Sequence, residues 1–310
     1  MPSAEPSATV YRGRFAPSPT GPLHFGSLIA AVGSYLRARE RSGAWLVRID
    51  DLDRPRQTPG AVDDILSTLE AFGLCWDESP VYQSLRDEAY QAALDGLIEG
   101  DRAYPCGCSR REVAAVASRG PAGLIYPGTC RNGLPAGRRA RSWRVCTAGA
   151  EITVEDRLQA ALRCDLAREI GDFIVRRGDG LFAYHLACVV DDAASGITEV
   201  VRGSDLLWST PPQMLLQRLL GLPTPGYLHL PVAVNDQGHK LSKQTFAAPL
   251  QRDRAAEQLT AALTFLGQNP PGALHRAPPA EVLEWAREHW RWRAVPNRAE
   301  VPETAVKPAE

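Results

Sequence analysis

One stretch near the amino end restricts the possible folds more than any other part of this sequence. Residues 11–16 predict a short strand, and the prolines and glycine of 17–22 predict a loop that a helix cannot enter. Residues 23–41 carry apolar side chains at helical spacing, and residues 44–49 predict a buried strand. The apolar helical positions are Phe25, Leu28, Ile29, Val32, Tyr35 and Leu36. Strand, loop, helix and strand in this order form a parallel crossover unit, so the sequence predicts an open α/β sheet.

The later pattern extends this domain. Glycines at 178 and 180 lie between two predicted strands and favour a hairpin turn. Helices are predicted near 59–72, 85–99, 210–220, 253–267 and 279–291, and strands at 173–177, 181–190, 197–202 and 227–234.

We therefore expect an α/β fold with a Rossmann-type parallel sheet, an insertion and a small helical carboxyl-terminal region. The predicted α/β domain comprises residues 11–105 and 147–244, the insertion 106–146, the helical region 245–300, and the disordered tails 1–10 and 301–310.

Composition limits the partners and the compartment. The chain has 310 residues and a formal net charge of -1, so a nucleic acid would have to meet a local basic patch. No run of residues is long and apolar enough for a transmembrane helix, and the first nine residues lack the layout of a signal peptide. Seven scattered cysteines, an odd number, argue against a disulfide framework. We expect a cytoplasmic protein with no membrane partner.

The basic residues are unevenly distributed between the two types. Only three of the 35 are lysine, and two of those lie in Lys240-Leu241-Ser242-Lys243. Lysine provides a compact charge on a flexible stem, whereas arginine provides a wide planar fork. The pattern favours a mobile loop that places an ammonium on a phosphate. The alternative is a surface turn at 235–238 followed by an ordinary basic loop.

The loop after the first predicted strand suits an anion. Open α/β sheets bind ligands between a strand's carboxyl end and a helix's amino end, where backbone N–H groups attract phosphate. His24 could donate a hydrogen bond to a phosphate oxygen, and Gly26 has no Cβ, so a flat base could approach the backbone. The alternative is an ordinary loop with a solvated histidine, and this stretch alone does not decide between them.

The two loops together indicate a class of protein. His24-Phe25-Gly26-Ser27 and Lys240-Leu241-Ser242-Lys243-Gln244 resemble the two signature motifs of class I aminoacyl-tRNA synthetases. Segments 13–24, 47–56 and 201–207 are similar to the glutamyl branch of that class. The separated motifs occur in order, which makes the resemblance specific.

The resemblance implies that the α-carboxylate of glutamate attacks the α-phosphate of ATP and releases pyrophosphate. Catalysis is then mostly placement and stabilisation of negative charge. The resemblance implies that Lys243, assisted by Lys240, stabilises the leaving pyrophosphate. His24, Gly26 and Ser27 would bind ATP together with Lys243, and Mg²⁺ would bridge the phosphate oxygens.

For the amino acid, the resemblance implies two guanidinium groups, Arg14 and Arg202, that suit carboxylate recognition. An arginine at position 202 marks glutamate rather than glutamine, because a neutral amide would leave a buried guanidinium unpaired. Asp50 would meet the substrate ammonium. The family usually has a glutamate there, so the shorter side chain would need a water bridge or a shifted strand. The other expected glutamate contacts are Ala16, Ser18 and Tyr184.

The predicted insertion contains a candidate metal site. Cys106, Cys108 and Cys130 offer three thiols, and structural zinc takes four ligands. The family resemblance points to Tyr126 as the fourth ligand, whose proton the zinc would have to displace. Water and Cys146 are the alternatives, and three buried cysteines without a metal is the alternative to the site itself. We expect one structural Zn²⁺ per chain. The remaining cysteines, Cys75, Cys164 and Cys188, are interpreted as core thiols.

A basic segment follows the third cysteine of the insertion. Five arginines and Trp143 lie between positions 131 and 144. They could contact an RNA backbone, with aromatic stacking in addition. A solvated face on an arginine-rich protein is the equal alternative.

The length after the lysine loop bears on the acceptor. Only 66 residues follow Gln244, whereas a separate anticodon-binding domain needs ~100 or more. The chain therefore resembles a truncated paralogue of the glutamyl branch. That resemblance implies a protein that activates glutamate without tRNA and transfers it to the queuosine base in the anticodon stem-loop of tRNA(Asp). We expect the protein to be a monomer. The alternatives are a minimal glutamyl-tRNA synthetase that charges the tRNA 3′ end and an inactive zinc-bearing RNA-binding module.

Overall fold

A computed structural model describes residues 10–235, 237–238, 240 and 248–303 of the chain. Its helices are Phe25–Glu40 (α1), Ala61–Ala71 (α2), Asp87–Glu99 (α3), Arg110–Val116 (α4), Leu166–Glu169 (α5), Tyr184–Ala194 (α6), Thr210–Leu219 (α7), Ala255–Phe265 (α8) and Pro279–His289 (α9). Across these residues, every helix is too short or too polar to cross a lipid bilayer.

The strands complete the list of elements. They are Arg12–Phe15 (β1), Ala44–Ile49 (β2), Val81–Tyr82 (β3), Ala103–Cys106 (β4), Ser118–Gly120 (β5), Gly123–Ile125 (β6), Ser142–Val145 (β7), Glu151–Val154 (β8), Leu162–Asp165 (β9), Ile174–Arg176 (β10), Glu199–Gly203 (β11), Gly226–Leu230 (β12), Val232–Val234 (β13) and Glu300–Pro302 (β14).

Parallel strands form the centre of the fold, as predicted. β1 pairs with β2, with Arg12 opposite Ala44, and β2 pairs with β3. β11 pairs with β12, with Glu199 opposite Gly226. Thr198 donates its backbone N–H to the carbonyl oxygen of Arg12 at 2.9 Å, which places β11 beside β1. The crossover unit β1–α1–β2 is therefore confirmed, and the fold class with it.

Alternate residues of the strands pack on opposite faces of the sheet. One face joins the core formed with α1, α8 and α9, and the other packs against Met214 of α7. The first face includes Trp45, Val47, Ile49, Leu228 and Leu230, and the second Leu46, Val200 and Tyr227. A Cβ on Gly33 of α1 would lie 2.4 Å from Leu230 Cδ1. The close packing of α1 on β12 therefore requires glycine at position 33.

The predicted hairpin forms its turn but not its second strand. Arg177 donates its N–H to the carbonyl oxygen of Leu181 at 2.8 Å, which closes the turn. The predicted strand at 181–190 is wrong, because the chain from Tyr184 onward is helix α6. An apolar run of this length fits either structure, and packing against α3 and α7 selects the helix.

Two other local predictions need correction. The predicted strand at 227–234 is divided into β12 and β13 at Pro231, which has no N–H to donate. Cys164 and Cys188 are buried as expected, but Cys75 is exposed, so its assignment to the core is wrong.

The residues between β4 and β7 form the insertion. These strands pair in antiparallel fashion and enclose α4 and the short hairpin β5–β6. The buried carboxylate of Asp172 connects the insertion to the domain, since it accepts hydrogen bonds from Arg131 at 2.9 Å and from the N–H and hydroxyl of Thr147 at 2.8 Å. Arg131 thus forms an ion pair with Asp172, whereas Arg144 is buried and so is not part of a solvated RNA-facing patch.

The carboxyl-terminal segment returns to the sheet. α8 and α9 pack on α1, and the chain then forms β14 parallel to β13. Val232 donates its N–H to the carbonyl oxygen of Ala299 at 2.9 Å. The predicted disordered tail therefore begins too early, because Val301 is paired with the sheet. Residues 304–310 lie outside the described part of the chain.

Candidate active site

A cleft of about 550 Å³ opens at the carboxyl ends of β1, β2, β11 and β12. This edge is where open α/β sheets bind ligands. Ten residues that the sequence analysis assigned to glutamate, ATP or catalysis line this one cleft. They are Arg14, Ala16, Ser18, His24, Gly26, Ser27, Asp50, Tyr184, Arg202 and Lys240. Lys243 lies outside the described residues.

His24 is the amino-terminal cap of α1. Its Nδ1 accepts a hydrogen bond from the N–H of Ser27 at 3.4 Å, so the proton of the neutral ring is on Nε2. In this tautomer Nε2 is a donor located beside the amino end of a 16-residue helix, whose dipole attracts anions. The arrangement suits phosphate oxygens.

Lys240 lines the same cleft as the first loop. Its Nζ is 2.5 Å from a carboxylate oxygen of Asp205, and its backbone bridges Val234. Beyond residues 241–247, Pro249 bridges the backbone of His24. The described residues on both sides of Lys243 are therefore fastened to walls of this cleft.

Arg14 belongs to a buried network of alternating charges. Asp192 of α6 accepts hydrogen bonds from Arg14 at 3.0 Å and from Arg48 at 2.6 Å. Arg48 also donates to Asp50 at 2.7 Å. Burial opposes ionisation of Asp192, but the two guanidinium groups hold the pKa of this carboxyl below its ordinary value. The network fixes the position of Arg14 at the cleft.

Asp50, expected to meet an ammonium, faces the cleft but already has a cationic partner in Arg48. Burial raises the pKa of Asp50, and the Arg48 guanidinium partly offsets that effect. A carboxylate has about four lone-pair directions, so this pairing leaves acceptor capacity. Asp50 can therefore accept a hydrogen bond from a substrate ammonium while it stays bonded to Arg48.

Arg202 differs from Arg14 in the charge of its partners. It donates to His229 Nε2 at 3.0 Å, to Gln213 Oε1 at 2.9 Å and to the hydroxyl of Thr210 at 2.8 Å. Among the residues that the structure describes, no carboxylate lies within 4.0 Å of this guanidinium, which is only 5% exposed. A buried cation without a carboxylate partner favours an anionic ligand at this point of the cleft.

His229 can accept from Arg202 because of its other ring nitrogen. Nδ1 lies 2.6 Å from Asp156, and a carboxylate only accepts, so the proton is on Nδ1 and Nε2 carries a lone pair. Burial lowers the pKa of His229, although the Asp156 hydrogen bond opposes this, and the ring stays neutral. Asp156 and His229 thus orient Arg202 through two successive buried hydrogen bonds.

The candidate metal centre is in the insertion, at the end of β4. The sulfurs of Cys106, Cys108 and Cys130 all lie within 4.8 Å of one another, and those of Cys108 and Cys130 are 3.6 Å apart. The Tyr126 hydroxyl lies 3.4 Å from the sulfurs of Cys106 and Cys108. Ligands at tetrahedral zinc are about 3.8 Å apart for two sulfurs and about 3.5 Å for sulfur and oxygen. The four side chains fit such a metal, and Cys146 is not in the cluster.

Arg144 supports this cluster from outside. Its guanidinium lies 3.9 Å from the centre of the Tyr126 ring and donates to the Cys106 sulfur at 3.4 Å. Burial would raise the pKa of Cys106, but hydrogen bonds from Tyr126, the backbone of Cys108 and Arg144 lower it to about 7. The thiol is therefore prepared to bind a cation as a thiolate.

Comparison with known proteins first defines the class. Residues 10–122 and 137–267 match the family of tRNA synthetases class I (E and Q), catalytic domain. The fold is similar to that of glutamate-tRNA synthetase from Elizabethkingia anophelis, with a TM-score of 0.78 and 23% identity over 96% of this chain and 69% of that one. A glutamate tRNA ligase from Elizabethkingia meningosepticum, solved in complex with its amino acid, gives 0.77 and 24% over 96% and 68%. The fold is that of a class I tRNA synthetase catalytic domain.

Sequence relatives define the family within that class. A protein of Dechloromonas aromatica is 58% identical over 291 residues, which is 93% of this chain and 97% of that one. A protein of Thiobacillus denitrificans is 55% identical over 300 residues, which is 97% and 99%. Both are named glutamyl-Q tRNA(Asp) synthetase. The chain belongs to the glutamyl-Q tRNA(Asp) synthetase family.

Several residues that shape the site were missed by sequence reasoning. Arg48 lies inside a segment that resembles the family, yet its role as a link between Asp50 and Asp192 depends on α6. Two adjacent acids at 191–192 after an apolar run are a signal for buried ion pairs that could have been used. His229 offers no comparable signal, because its partners come from distant parts of the chain.

Proposed function

We propose that this protein activates L-glutamate with ATP in the absence of tRNA and then transfers the glutamyl group to the queuosine base of tRNA(Asp). The observation that carries the proposal is Arg202, a buried guanidinium at the cleft whose described partners are all neutral. The carboxylate of glutamate would complete its charge pair, whereas the amide of glutamine would not. The name shared by the relatives supports queuosine in tRNA(Asp) as the acceptor.

In the first step, the glutamate end of the cleft binds and orients the amino acid. Arg14 and Arg202 hold carboxylate groups, and Asp50 accepts from the ammonium. Ala16, Ser18 and Tyr184 line this end of the cleft. Fixed donors of this kind place the α-carboxylate for attack on the α-phosphate without reorganisation during the reaction.

The other end of the cleft binds the phosphates of ATP. His24 donates from Nε2, and Gly26 and Ser27 expose the first turn of α1 to the nucleotide. Lys240 and Lys243 stabilise the pyrophosphate as it leaves. Mg²⁺ bound with ATP would supply further positive charge at the phosphates.

We further propose zinc as the ion of the cysteine cluster, held by Cys106, Cys108, Tyr126 and Cys130. Three sulfurs and one oxygen at the observed separations suit zinc. The ion would stabilise the insertion and would lower the pKa of the tyrosine hydroxyl that burial otherwise raises. The cluster does not line the cleft, so the role is structural.

The first test is glutamate-dependent exchange of pyrophosphate into ATP without RNA. The proposal expects exchange with glutamate and at least 100-fold less with glutamine. Exchange that requires tRNA would favour a minimal glutamyl-tRNA synthetase, and no exchange under any condition would favour an inactive zinc-bearing RNA-binding module.

The second test identifies the acceptor. Labelled glutamate is offered with queuosine-containing tRNA(Asp), queuosine-lacking tRNA(Asp) and tRNA(Glu). The proposal expects transfer to the first alone, and transfer to the 3′ end of tRNA(Glu) would contradict it. Localisation in the cytoplasm and the monomeric state remain predictions.

A further inference from the structure

A second cavity of about 310 Å³ adjoins the glutamate end of the cleft. Both cavities are lined by Ser18, Thr20, Asp50 and Tyr184. In contrast, His24, Gly26 and Lys240 line the first cleft and not the second. The second cavity therefore opens onto the amino acid and not onto the phosphates. Its volume is in the range of small-ligand pockets.

The walls of this second cavity combine an aromatic surface with charged groups. Tyr184, which lines both cavities, is 38% exposed, whereas Phe182 is buried against Tyr90. The carboxylate of Asp53, which also lines this cavity, accepts from Arg56 at 2.7 Å and from Arg177 at 3.2 Å. An accessible aromatic ring together with hydrogen-bonding side chains is the usual environment for an unstacked base.

The chemistry of the second reaction step requires an entrance at this position. A hydroxyl oxygen of the acceptor must attack the carbonyl carbon of glutamyl adenylate. The new ester C–O bond forms, the anhydride C–O bond breaks, AMP departs, and the hydroxyl proton leaves to solvent. Because the nucleotide occupies the His24 end, the hydroxyl has to approach from the amino acid end.

We propose that the second cavity is the pocket for the acceptor nucleoside of the tRNA, a base bearing hydroxyl groups that packs on Tyr184 and bonds to Asp53 and Arg177. This inference rests on the proposed function and adds the recognition site for its RNA substrate. Asp53 accepts from the hydroxyl groups of the base substituent, and Arg177 contacts the base or its phosphate.

The test separates the two reaction steps in Asp53→Asn and Arg177→Gln. Arg254→Gln is the matched control, because Arg254 is an exposed arginine in an ion pair with Glu257 and lines neither cavity. We expect pyrophosphate exchange within twofold of wild type in all three variants. Single-turnover transfer from preformed adenylate to queuosine-containing tRNA(Asp) should fall at least tenfold in the first two and stay unchanged in the control. Intact exchange shows that the variants are folded.

Free queuosine nucleoside is the second probe. It should inhibit transfer but not exchange in wild type, and inhibition should weaken in Asp53→Asn. Normal transfer by both cavity variants overturns the inference, as does an equal loss of exchange and transfer. Failure of the proposed function looks different, since wild-type protein would then show no exchange or no transfer, and the inference would fall with it.

Discussion

Arg202 and His229 form a 3.0 Å hydrogen bond in which the histidine ring is the acceptor. Arg14, in contrast, is oriented by a direct hydrogen bond to an acidic residue, Asp192. For Arg202 the nearest acidic residue in this chain of hydrogen bonds is Asp156, which bonds to the other nitrogen of the His229 ring. The Arg202 guanidinium is therefore oriented by neutral side chains, and a ligand carboxylate can supply the negative charge that pairs with it.

The chain from Asp156 to Arg202 predicts a selective effect on glutamate binding. In Asp156→Asn, the amide holds the proton on His229 Nδ1 less firmly, so Arg202 loses part of its orientation. We expect the KM for glutamate in pyrophosphate exchange to rise about tenfold, ~1.4 kcal/mol, with a smaller change in kcat. The control is Asp95→Asn, an exposed aspartate on α3. An unchanged KM for glutamate at a normal kcat would show that the chain does not position Arg202.

His185 predicts a pH dependence of stability. Burial, with a contribution from the nearby charge of Arg202, lowers the pKa of this histidine to about 4. Below an ordinary histidine pKa of about 6.5, the unfolded chain takes up a proton that the folded chain excludes. Stability from this source is therefore present above pH ~6.5 and is lost as the pH falls toward ~4, by up to about 3 kcal/mol.

The measurement for this pH effect is urea unfolding between pH 7.5 and pH 4.5. His185→Phe should lose less stability over this range than wild type, because phenylalanine does not titrate. The site should accept the apolar ring, because Nδ1 of His185 has no hydrogen-bond partner among the described residues and the ring packs against Phe173. His289→Phe changes an exposed histidine and serves as the control. Parallel pH profiles for His185→Phe and wild type would contradict the assignment.

The cysteine cluster predicts a metal content of about one zinc per chain. Cys106→Ser should lose the ion in metal analysis and should unfold at a lower temperature, because metal binding and folding of such sites are coupled. Cys75→Ser is the matched control, since Cys75 is an exposed thiol outside the cluster. A full complement of zinc in Cys106→Ser would remove this residue from the ligand set.

Arg144 predicts a weaker effect on the same ion. Arg144→Gln keeps the four ligands and removes the guanidinium beside Cys106 and Tyr126. We expect zinc affinity to fall 10–100-fold, as is usual when the partner of a metal ligand is lost. Competition with a chelator measures it, and the same affinity as wild type would show that Arg144 only packs there.

The lysine loop predicts that charge alone is insufficient at position 243. Lys243→Arg keeps the positive charge but replaces a compact ammonium by a planar fork, and we expect exchange to fall at least 100-fold. Lys307→Arg, the same substitution at the third lysine of the chain, is the control. Near-normal turnover of Lys243→Arg would show that any cation serves.

The sequence predicted the parallel sheet and the residues that line the cleft because both depend on contiguous motifs. His24 and Arg14 lie in one loop, and Lys240 lies in another whose composition is unusual. The strand predicted at 181–190 was wrong, because an apolar run alone does not distinguish a strand from a buried helix. The pairing of the buried Asp191 and Asp192, which follow this run, with arginines depends on tertiary contacts that the local sequence does not contain. Arg48 and His229 acquire their roles only when elements far apart in the chain meet.

The pairing of β14 with β13 has a consequence for deletion variants. The wall of the cleft at Pro231 and Val232 is braced from behind by the backbone of Ala299, and Ser204 donates its hydroxyl to the same carbonyl. Deletion of residues 299–310 would remove these hydrogen bonds behind the wall, although none of the described residues 299–303 lines the cleft. A lower nucleotide affinity in such a shortened protein would then reflect a displaced wall of the cleft.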